Sequence, residues 1–585
     1  MVFEQGTIPH IATIIASYIV LLFRTAKVAV KQIFKNRVLD ENTLITISTI
    51  GAFLVGKEME GAMVIILYEI GKILEDKAVN KSRKSIAELM DIRPDVANVK
   101  RGDSIVEVSP TEVNIGDVIV VKAGEKIPLD GIVLTGEAEL NNSALTGESM
   151  LISVKADDKV LSGGINVQGL LEIQVTSTYE DSTVNKILQL VESATDRKAK
   201  TETFVSKAAK IYTPVVLGLA ILVAAFLPLI FANVTYSESI YKALIFLVIA
   251  CPCSIAISVP LSYFSGIGKA SKSGILIKGS DYLDGLKDIG NIVLDKTGTI
   301  TIGNFEIESI NSYKEDISKD KVLEYFALGE NFSNHPIAKS ILKEVEDLQN
   351  LDKVENYEEI KGKGISYDYE GKHIKIGNAD FVENSNDKTD GIVLYLKIQD
   401  EIVGDIVLKD KIKPDAKEAI AALNKMSIIT SMFTGDRKEV ALEVAKEVGI
   451  DRVNYKMLPE DKYNKIEELI NHNVKKVAFV GDGINDSPVL ARADIGISMG
   501  GIGSSSAIEA SDVVIMTDEL TKIVEGIKIS KKTNKIIKQN LVFSLSVKLL
   551  TLVLALLGFA DMWQAVFADV GVTVLAILNT LRILK

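Results

Sequence analysis

The stretch from Ile292 to Thr301, IVLDKTGTIT, places an aspartate directly after a short apolar run and before a loop of small residues. Similar apolar runs that end in polar residues occur at 428–434, 477–482 and 495–497. Such runs are typical of buried parallel strands. In doubly wound α/β folds, ligand-binding residues lie at the carboxyl ends of the strands. The pattern therefore predicts that Asp295, Thr434 and Asp482 converge on one site.

Two water-soluble stretches, about 76–208 and 266–536, lie between the apolar parts of the chain, and the second contains the stretch quoted above. Nearly 140 residues separate Asp295 from Thr434, which is too many for one crossover, so residues 302–410 are predicted to form an inserted domain. The first stretch alternates apolar and polar residues between glycine turns, as half-buried strands do. It is predicted to be a small β-rich domain.

The apolar residues are concentrated in blocks, because the mean hydropathy is +0.23 in a chain of which 25% is charged. Seven blocks are predicted to cross a membrane as helices, at residues 8–23, 43–56, 59–75, 214–232, 240–263, 541–560 and 562–581. The predicted segments are membrane helices at 1–75, the β-rich domain at 76–208, a membrane pair at 209–265, an α/β domain at 266–301 and 411–536 with its insertion at 302–410, and a membrane pair at 537–585.

Charge predicts the orientation and excludes one class of partner. Five basic residues follow the first apolar run, namely Arg24, Lys27, Lys31, Lys35 and Arg37. By the positive-inside rule they place that loop, and with it both soluble stretches, in the cytoplasm of a multi-pass protein of the plasma or inner membrane. The net charge of −12 argues against nucleic acid as a partner. No obligate protein partner is evident, and two cysteines provide no disulfide framework.

The motif DKTGT at 295–299 resembles the phosphorylation motif of P-type ATPases. The other motifs of that family follow in its order, with TGES at 146–149, TGD at 434–436 and GDGINDSP at 481–488. The resemblance covers nearly the whole chain. It implies a multidomain fold in which a transmembrane helical bundle of about seven spans carries a β-rich actuator domain and a haloacid-dehalogenase-like α/β phosphorylation domain. The inserted domain is then an α+β nucleotide-binding domain.

The resemblance also implies a reaction and its cofactor. Asp295 is expected to attack the γ-phosphate of ATP and form an aspartyl phosphate. Mg²⁺ is expected to be held by Asp295, Asp482 and the backbone carbonyl of Thr297. The other residues implied in phosphoryl transfer are Lys296, Thr434, Gly435, Asp436, Lys462, Asn485 and Asp486.

Two further sets of residues come with the same resemblance. In the TGES motif, Glu148, beside Thr146 and Gly147, is implied to position the water that hydrolyses the aspartyl phosphate. In the inserted domain, the residues implied to form the adenine pocket are Glu330, His335, Pro336, Gly362, Gly364, Gly377 and Asn378. Glycines there allow the nucleotide to approach the backbone closely.

The triplet Cys251-Pro252-Cys253 lies in the middle of an apolar run, and its proline cannot continue a regular helix. The alternative, two small cysteines that pack as hydrophobic side chains, leaves the proline between them unexplained. As in heavy-metal P-type ATPases, both thiolates are expected to bind the transported ion, because soft ligands select soft or borderline metals.

Two charged residues of the last two spans, Lys548 and Asp569, resemble the zinc, cadmium and lead branch of these pumps. A carboxylate with two thiolates suits a borderline divalent ion. We expect Lys548 to be the counter-charge that pairs with Asp569 when no metal is bound. Glu60, in the sequence EGAMV, corresponds to a glutamate on the release path of this branch. Its alternative is a solvated glutamate at the membrane surface.

The sequence thus predicts a membrane pump that uses Mg²⁺ and ATP to export Zn²⁺, Cd²⁺ or Pb²⁺. Three other functions stay open: a Cu⁺ exporter, a membrane-tethered phosphatase of the dehalogenase fold and a metal sensor without turnover. The TGES motif and the nucleotide pocket argue against the phosphatase, and the complete set of motif residues argues against the sensor. Because heavy-metal pumps usually begin with a metal-binding domain and two extra helices, an N-terminally short chain is also expected.

Overall fold

The computed structural model describes residues 8–36, 41–87, 94, 96–102, 104–142, 151–186, 200–231, 233–250, 253–333, 336–345, 348–349, 351–360, 363–383, 392–482, 486–500, 509–557, 559 and 561–585. The chain divides into two compact units. The first comprises Met1–Lys287 and Glu525–Lys585, and the second comprises Asp288–Val524.

The first unit begins with three helices, α1 (Ile8–Lys31), α2 (Glu41–Leu54) and α3 (Glu58–Ala87). A β-rich region follows, with β1 (Ala97–Arg101), β2 (Ser104–Val108), β3 (Val118–Val121), β4 (Gly131–Thr135), β5 (Ala138–Asn141), β6 (Leu151–Val154), β7 (Lys159–Val160), β8 (Ile165–Gln168) and β9 (Leu171–Val175). Antiparallel sheets of order β2-β1-β3-β9-β4-β7 and β6-β5-β8 result. Their alternating apolar side chains form one core around Ile119, Leu129 and Ile173, so the predicted β-rich domain is present.

After this region the first unit returns to helices. They are α4 (Lys200–Ile230), α5 (Tyr236–Ile249), α6 (Cys253–Lys272) and α7 (Ser280–Leu286), with the short strand β10 (Ile275–Ile277) before α7. A capping box of Thr235 and Glu238 begins α5. The α5 helix ends at Ile249 and α6 begins at Cys253.

The second unit contains a parallel sheet and an antiparallel one. The parallel strands are β11 (Ile289–Asp295), β18 (Ile429–Phe433), β19 (Arg452–Asn454), β20 (Lys476–Gly481), β21 (Ile495–Ser498) and β22 (Val513–Ile515). Within the unit they lie in the order β22-β21-β20-β11-β18-β19. The helices that connect them are α10 (Ala416–Lys425), α11 (Lys438–Val448), α12 (Pro459–His472) and α13 (Ser487–Arg492). The predicted buried parallel strands are therefore confirmed.

The inserted region of the second unit is an antiparallel sheet with two helices. Its strands are β12 (Thr301–Ser312), β13 (Val354–Ile360), β14 (Gly364–Tyr369), β15 (Lys372–Gly377), β16 (Ile392–Ile398) and β17 (Glu401–Ile412), and its helices are α8 (Lys319–Glu330) and α9 (Pro336–Leu342). The sheet order is β12-β17-β16-β15-β14-β13. Because β12 and β17 pair along their length, the insertion leaves the parallel sheet and returns to it at neighbouring points.

Two long helices end the chain, α14 (Thr521–Leu556), which belongs to the first unit from Glu525 onward, and α15 (Met562–Thr580) of the first unit. Among the described residues, four helical segments are long and apolar enough to cross a membrane: Tyr212–Ile230, Tyr236–Lys272, Thr521–Ala555 and Met562–Ile583. A shorter apolar helix covers Asn42–Leu54. The membrane character is therefore supported, whereas the count of seven spans stays a prediction.

Four predicted segment boundaries fall inside continuous helices. The boundary after residue 75 lies within α3, the one after residue 208 within α4, the one after residue 265 within α6, and the one after residue 536 within α14. The predicted boundaries differ from the helix ends because hydropathy marks where a helix passes between polar and apolar surroundings, and the helix continues through that point.

The packing of the parallel sheet gives the first testable prediction. Val477 of β20 is fully buried with Val293, Phe433 and Phe479, whereas Val474, three residues earlier, is fully exposed. Val477→Ala is expected to lower the free energy of local opening by about 2 kcal/mol, since it removes two buried carbons and leaves a cavity. Amides of β20 should then exchange hydrogen about 30-fold faster in mass-spectrometric measurements.

Val474→Ala is the matched control for this measurement, because it removes the same atoms from an exposed side chain. It should leave the exchange of β20 unchanged. Equal exchange rates in the two variants would contradict the described core.

Candidate functional site

Three parallel strands bring the predicted phosphorylation residues to one edge of the sheet. Asp295 is the last residue of β11, and it lies in register with Phe433, which directly precedes Thr434. On the other side of β11, Leu294 is in register with Val480, so Asp482 follows at the same level. The predicted convergence of these three strand ends is therefore present in the structure.

A buried lysine joins two of the carboxylates. The Lys462 Nζ atom donates to Asp295 Oδ1 at 2.6 Å and to Asp486 Oδ1 at 3.0 Å. Lys462 lies near the start of α12, which begins with Pro459 after a hydrogen bond from the Leu458 amide to the Asp461 carboxylate. This ion pair fixes the orientation of the expected nucleophile.

Burial also changes the acidity of these carboxylates. It raises the pKa of Asp295 to about 7, with the nearby Asp486 adding to the effect and Lys462 opposing it. Burial likewise raises the pKa of Asp486. A buried pair of carboxylates shares the stabilising charge of one lysine, so further positive charge is favoured here.

The donors present fit Mg²⁺. The predicted ligands are two carboxylates, Asp295 and Asp482, and the Thr297 carbonyl, and hard oxygen ligands of this kind are what Mg²⁺ prefers. Beside them, a Cβ atom added to Gly298 would lie 3.4 Å from Asp482 Oδ2, and the φ of Gly298 is +71°. The described residues contain no group of three or more His, Cys, Asp or Glu arranged for a metal. Mg²⁺ commonly completes such a sparse site with water and phosphate oxygens.

The loop after Asp295 is held by residues that the sequence interpretation missed. Asp410 accepts hydrogen bonds from the Thr301 hydroxyl at 2.6 Å and the Gly303 amide at 3.1 Å. The buried Lys413 donates to the Gly298 carbonyl at 3.3 Å and to Asp518 at 2.6 Å. The charged residues from Lys409 to Lys413, at and just after the end of β17, are the signal in the sequence for this role.

The remaining predicted catalytic residues are partly in place. Lys296 forms an ion pair with Asp436, whose amide donates to the Thr434 hydroxyl at 3.1 Å, and Gly435 lies between these two. Lys296 and Asp436 line a cavity of about 340 Å³ that Asn378 of the inserted region also lines. Four predicted residues lie outside the described residues, namely Thr146, Gly147, Glu148 and Asn485.

The predicted adenine pocket is a cavity of about 210 Å³ in the inserted region. Three of the predicted residues line it: Glu330, Gly364 and Asn378. Gly364 has a φ of +154°, and a Cβ atom there would lie 2.1 Å from the Ile376 carbonyl oxygen, so no side chain fits. Gly377 is equally tight, with its Cβ position 2.3 Å from the Lys363 carbonyl oxygen.

Two acidic residues face this pocket. Burial raises the pKa of Glu330 to about 7, with a further contribution from Glu359, which lines the same cavity and was missed from the sequence. His335 and Gly362 lie outside the described residues, and of Pro336 only its position at the start of α9 is described.

In the membrane helices of the first unit, Lys548 and Asp569 form an ion pair. The Lys548 Nζ atom donates to Asp569 Oδ1 at 2.5 Å and to the Ile249 carbonyl at 3.3 Å. Each side chain is only 14% exposed. Ile249 is the last residue of α5, so Lys548 lies at the helix break that precedes the Cys-Pro-Cys triplet. Cys251 is outside the described residues, and Cys253 is described only as the start of α6.

Glu60 lies in the first turn of α3 and is not simply solvated. Its carboxylate lies 3.2 Å from Lys57 Nζ and accepts a hydrogen bond from the Tyr241 hydroxyl. Tyr241 belongs to α5, so Glu60 links two helices. Sequence reasoning had identified neither of the two partners.

Comparison with known proteins agrees with this arrangement. Residues 289–494 match the family model of haloacid dehalogenase-like hydrolases, and residues 91–192 match that of the P-type ATPase actuator domain. The chain is 46% identical over 565 residues to the cadmium, zinc and cobalt-transporting ATPase of Bacillus subtilis, covering 95% of this chain and 80% of the relative. It is 42% identical to the zinc-transporting ATPase of Synechocystis, covering 100% of this chain and 83% of the relative.

A solved structure shows the same fold. The crystal structure of a zinc-transporting PIB-type ATPase in the E2.Pi state matches with a TM-score of 0.64 and 34% identity, over 100% of this chain and 96% of that one. The predicted fold class is thereby confirmed in its main parts, the actuator and the dehalogenase-like domain. This chain belongs to the heavy-metal-transporting P-type ATPases, in the zinc and cadmium branch.

Proposed function

We propose that the protein is a primary active transporter that exports Zn²⁺, Cd²⁺ or Pb²⁺ from the cytoplasm, driven by ATP hydrolysis through an aspartyl phosphate on Asp295. The observation that carries the choice of ion is the pair of Lys548 and Asp569, because Lys548 binds this carboxylate and also contacts the carbonyl of Ile249, two residues before Cys251. A carboxylate beside thiolates suits a borderline divalent ion better than Cu⁺. Relatives are named for zinc, cadmium and cobalt.

In the phosphorylation step, Asp295 attacks the γ-phosphorus of ATP and ADP leaves. Lys462 holds the carboxylate at 2.6 Å and compensates part of its charge. Mg²⁺, held by Asp295, Asp482 and the Thr297 carbonyl, would neutralise phosphate charge when bound. Lys296, Thr434 and Asn485 contact the phosphoryl group, and Glu148 positions the water for its later hydrolysis.

The nucleotide binds in the inserted domain. The adenine lies beside Glu330 and Asn378, where Gly364 and Gly377 allow close approach to the backbone. The cavity lined by Asn378, Lys296 and Asp436 then leaves room for the phosphates. His335, Pro336 and Gly362 complete the pocket.

In the membrane, Cys251, Cys253 and Asp569 bind the transported ion, and Lys548 takes its place when the ion has left. The empty site then remains neutral, so the return step needs no counter-ion. Glu60 accepts the ion on the release path, in competition with Lys57. Seven spans in the plasma or inner membrane place the soluble domains in the cytoplasm.

The first test is ATP hydrolysis by the purified protein in lipid across Zn²⁺, Cd²⁺, Pb²⁺, Co²⁺ and Cu⁺. Zn²⁺, Cd²⁺ or Pb²⁺ should stimulate the turnover, and Asp295→Asn should abolish it, because an amide cannot form the phosphoenzyme. Stimulation by Cu⁺ alone would overturn the choice of ion. Metal binding without stimulation by any ion would instead indicate a sensor.

The rate of phosphorylation is also expected to depend on pH. The nucleophile is the carboxylate, and since the pKa of Asp295 is raised to about 7, phosphorylation from ATP should increase as the pH rises through neutrality. Lys462 lowers that pKa, so Lys462→Met should move the pH midpoint to a higher value and reduce the rate at pH 7 by about tenfold or more. Phosphoenzyme formation at fixed Mg²⁺ measures both effects.

Lys465→Met is the matched control, because Lys465 lies on the same helix and pairs only with the exposed Glu468 among the described residues. It should keep the wild-type pH profile. An unchanged midpoint in Lys462→Met would show that Lys462 does not set the acidity of Asp295.

Replacement of Lys548 tests its proposed role as the counter-charge of Asp569. Lys548→Ala leaves Asp569 without its partner within the membrane, so bound metal should be retained and metal-stimulated turnover should fall by about tenfold or more. Lys548→Arg, which keeps the positive charge, should retain a larger share of the turnover. Full turnover in Lys548→Ala would remove this role.

A further inference from the structure

A row of lysines lies on one face of α14, directly before its apolar part. Their side chains are exposed, and the residues are Lys528, Lys531, Lys532, Lys535 and Lys538. The spacing of three and four residues places them on one side of a helix. The intervening Ser530, Asn534 and Ile537 are buried, so the opposite face packs within the unit. We call the five exposed lysines the lysine face.

Ion pairs with carboxylates are missing from the lysine face among the described residues. Within the part of the chain that the structure describes, none of its five members forms an ion pair with a carboxylate. The sequence contains no Asp or Glu between Lys528 and Asp561, and the preceding acidic residue of α14 is Glu525, one turn before Lys528. The lysine face is therefore a local concentration of positive charge on a protein whose net charge is −12.

The same helix continues as a surface suited to lipid. Most of its exposed side chains after Gln539 are apolar, among them Val542, Leu545, Leu549 and Leu550, with Ser546 as a polar exception. At a rise of about 1.5 Å per residue, Lys538 lies ~6 Å from the level of Val542 and Lys528 lies ~21 Å from it. The polar layer of a bilayer is about 5–8 Å thick on each side. The lower part of the lysine face thus begins at the headgroup layer.

A second helix adds charge at this level. Arg582, directly after α15, is exposed and donates to the Asn579 side chain at 2.7 Å. Asn579 in turn donates to the side chain of Gln539 at 3.2 Å, and Gln539 is the neighbour of Lys538. The middle of α14 and the C-terminal end of α15 therefore both carry basic residues beside Gln539 and Asn579.

We propose that the lysine face and Arg582 form a binding surface for anionic phospholipid headgroups, in the leaflet at the N-terminal end of the apolar part of α14. Clusters of lysines next to a membrane helix attract anionic headgroups, and the attraction decreases over a Debye length of about 8–10 Å. Lys538 and Lys535 contribute most and Lys528 least. The surface requires insertion of α14 in the membrane and is independent of metal transport.

The test uses the full protein reconstituted in phosphatidylcholine, without ATP or metal. Electron spin resonance of spin-labelled phosphatidylglycerol and phosphatidylcholine measures which lipid the protein prefers. One lysine favours a contacting anionic headgroup by about fivefold, so a preference of about twofold is expected when averaged over the lipid shell. The preference should disappear in 0.5 M salt, because the Debye length is then only about 4 Å and the lysine charges are screened.

Variants then locate the surface. Changing all five members of the lysine face to Gln should abolish the preference, and Lys538→Gln alone should reduce it more than Lys528→Gln. The control changes five exposed lysines of the second unit in the same way, at Lys319, Lys417, Lys425, Lys446 and Lys475. It removes equal charge and should keep the preference.

Two results would overturn the proposal. One is an equal affinity of the wild-type protein for both lipids at low salt, as expected if the lysine face served an acidic protein segment instead. The other is an equal loss in the two quintuple variants. Because neither measurement involves turnover, loss of pumping would leave the conclusion on lipid unaffected.

Discussion

The candidate site at the edge of the parallel sheet depends on an Asp295 carboxylate that is buried and still able to react. Burial alone would leave it protonated, as its raised pKa shows, and a protonated carboxyl is a poor nucleophile. Lys462 offsets this effect through its 2.6 Å contact. Because Asp486 shares the same lysine, the cluster retains negative charge, which favours the binding of a divalent cation such as the proposed Mg²⁺.

The membrane unit uses the same pairing for a different purpose. Lys548 and Asp569 are as strongly buried as Lys462 and Asp295, and both pairs are held by direct contacts of about 2.5 Å. In the proposed function, the lysine of the soluble site stays beside the carboxylate that reacts. In the proposed membrane site, the lysine would leave Asp569 when a cation binds, because both cannot occupy the same carboxylate. The second hydrogen bond of Lys548, to the Ile249 carbonyl, is weaker at 3.3 Å and gives the ammonium a resting position.

Sequence reasoning worked where chemistry is local and failed where it is distributed. Strands such as β11 and β20 could be predicted, because a fully buried parallel strand is apolar along its length and ends in polar residues. Lys462 was identified only through the family resemblance, since 167 residues separate it from Asp295 and no local pattern links them. Asp410 and Lys413 were missed for a related reason, because their contacts arise where the inserted domain returns to the sheet. Glu359 was missed because it meets Glu330 only through the folding of the inserted domain.

For the same reason, the sequence pattern did not give the ends of the membrane helices and did not show that the lysine face is exposed. Hydropathy showed where α14 becomes apolar, but only burial shows that its preceding lysines are exposed on one side while Asn534 and Ile537 pack inside. A lysine's function here depends on its surroundings more than on its type. Buried beside a carboxylate, as Lys462 and Lys548 are, it compensates the negative charge of that carboxylate and is proposed to tune its reactivity or to replace a metal ion. Exposed beside an apolar helix surface and without a carboxylate partner, it is free to attract the headgroups that surround the helix.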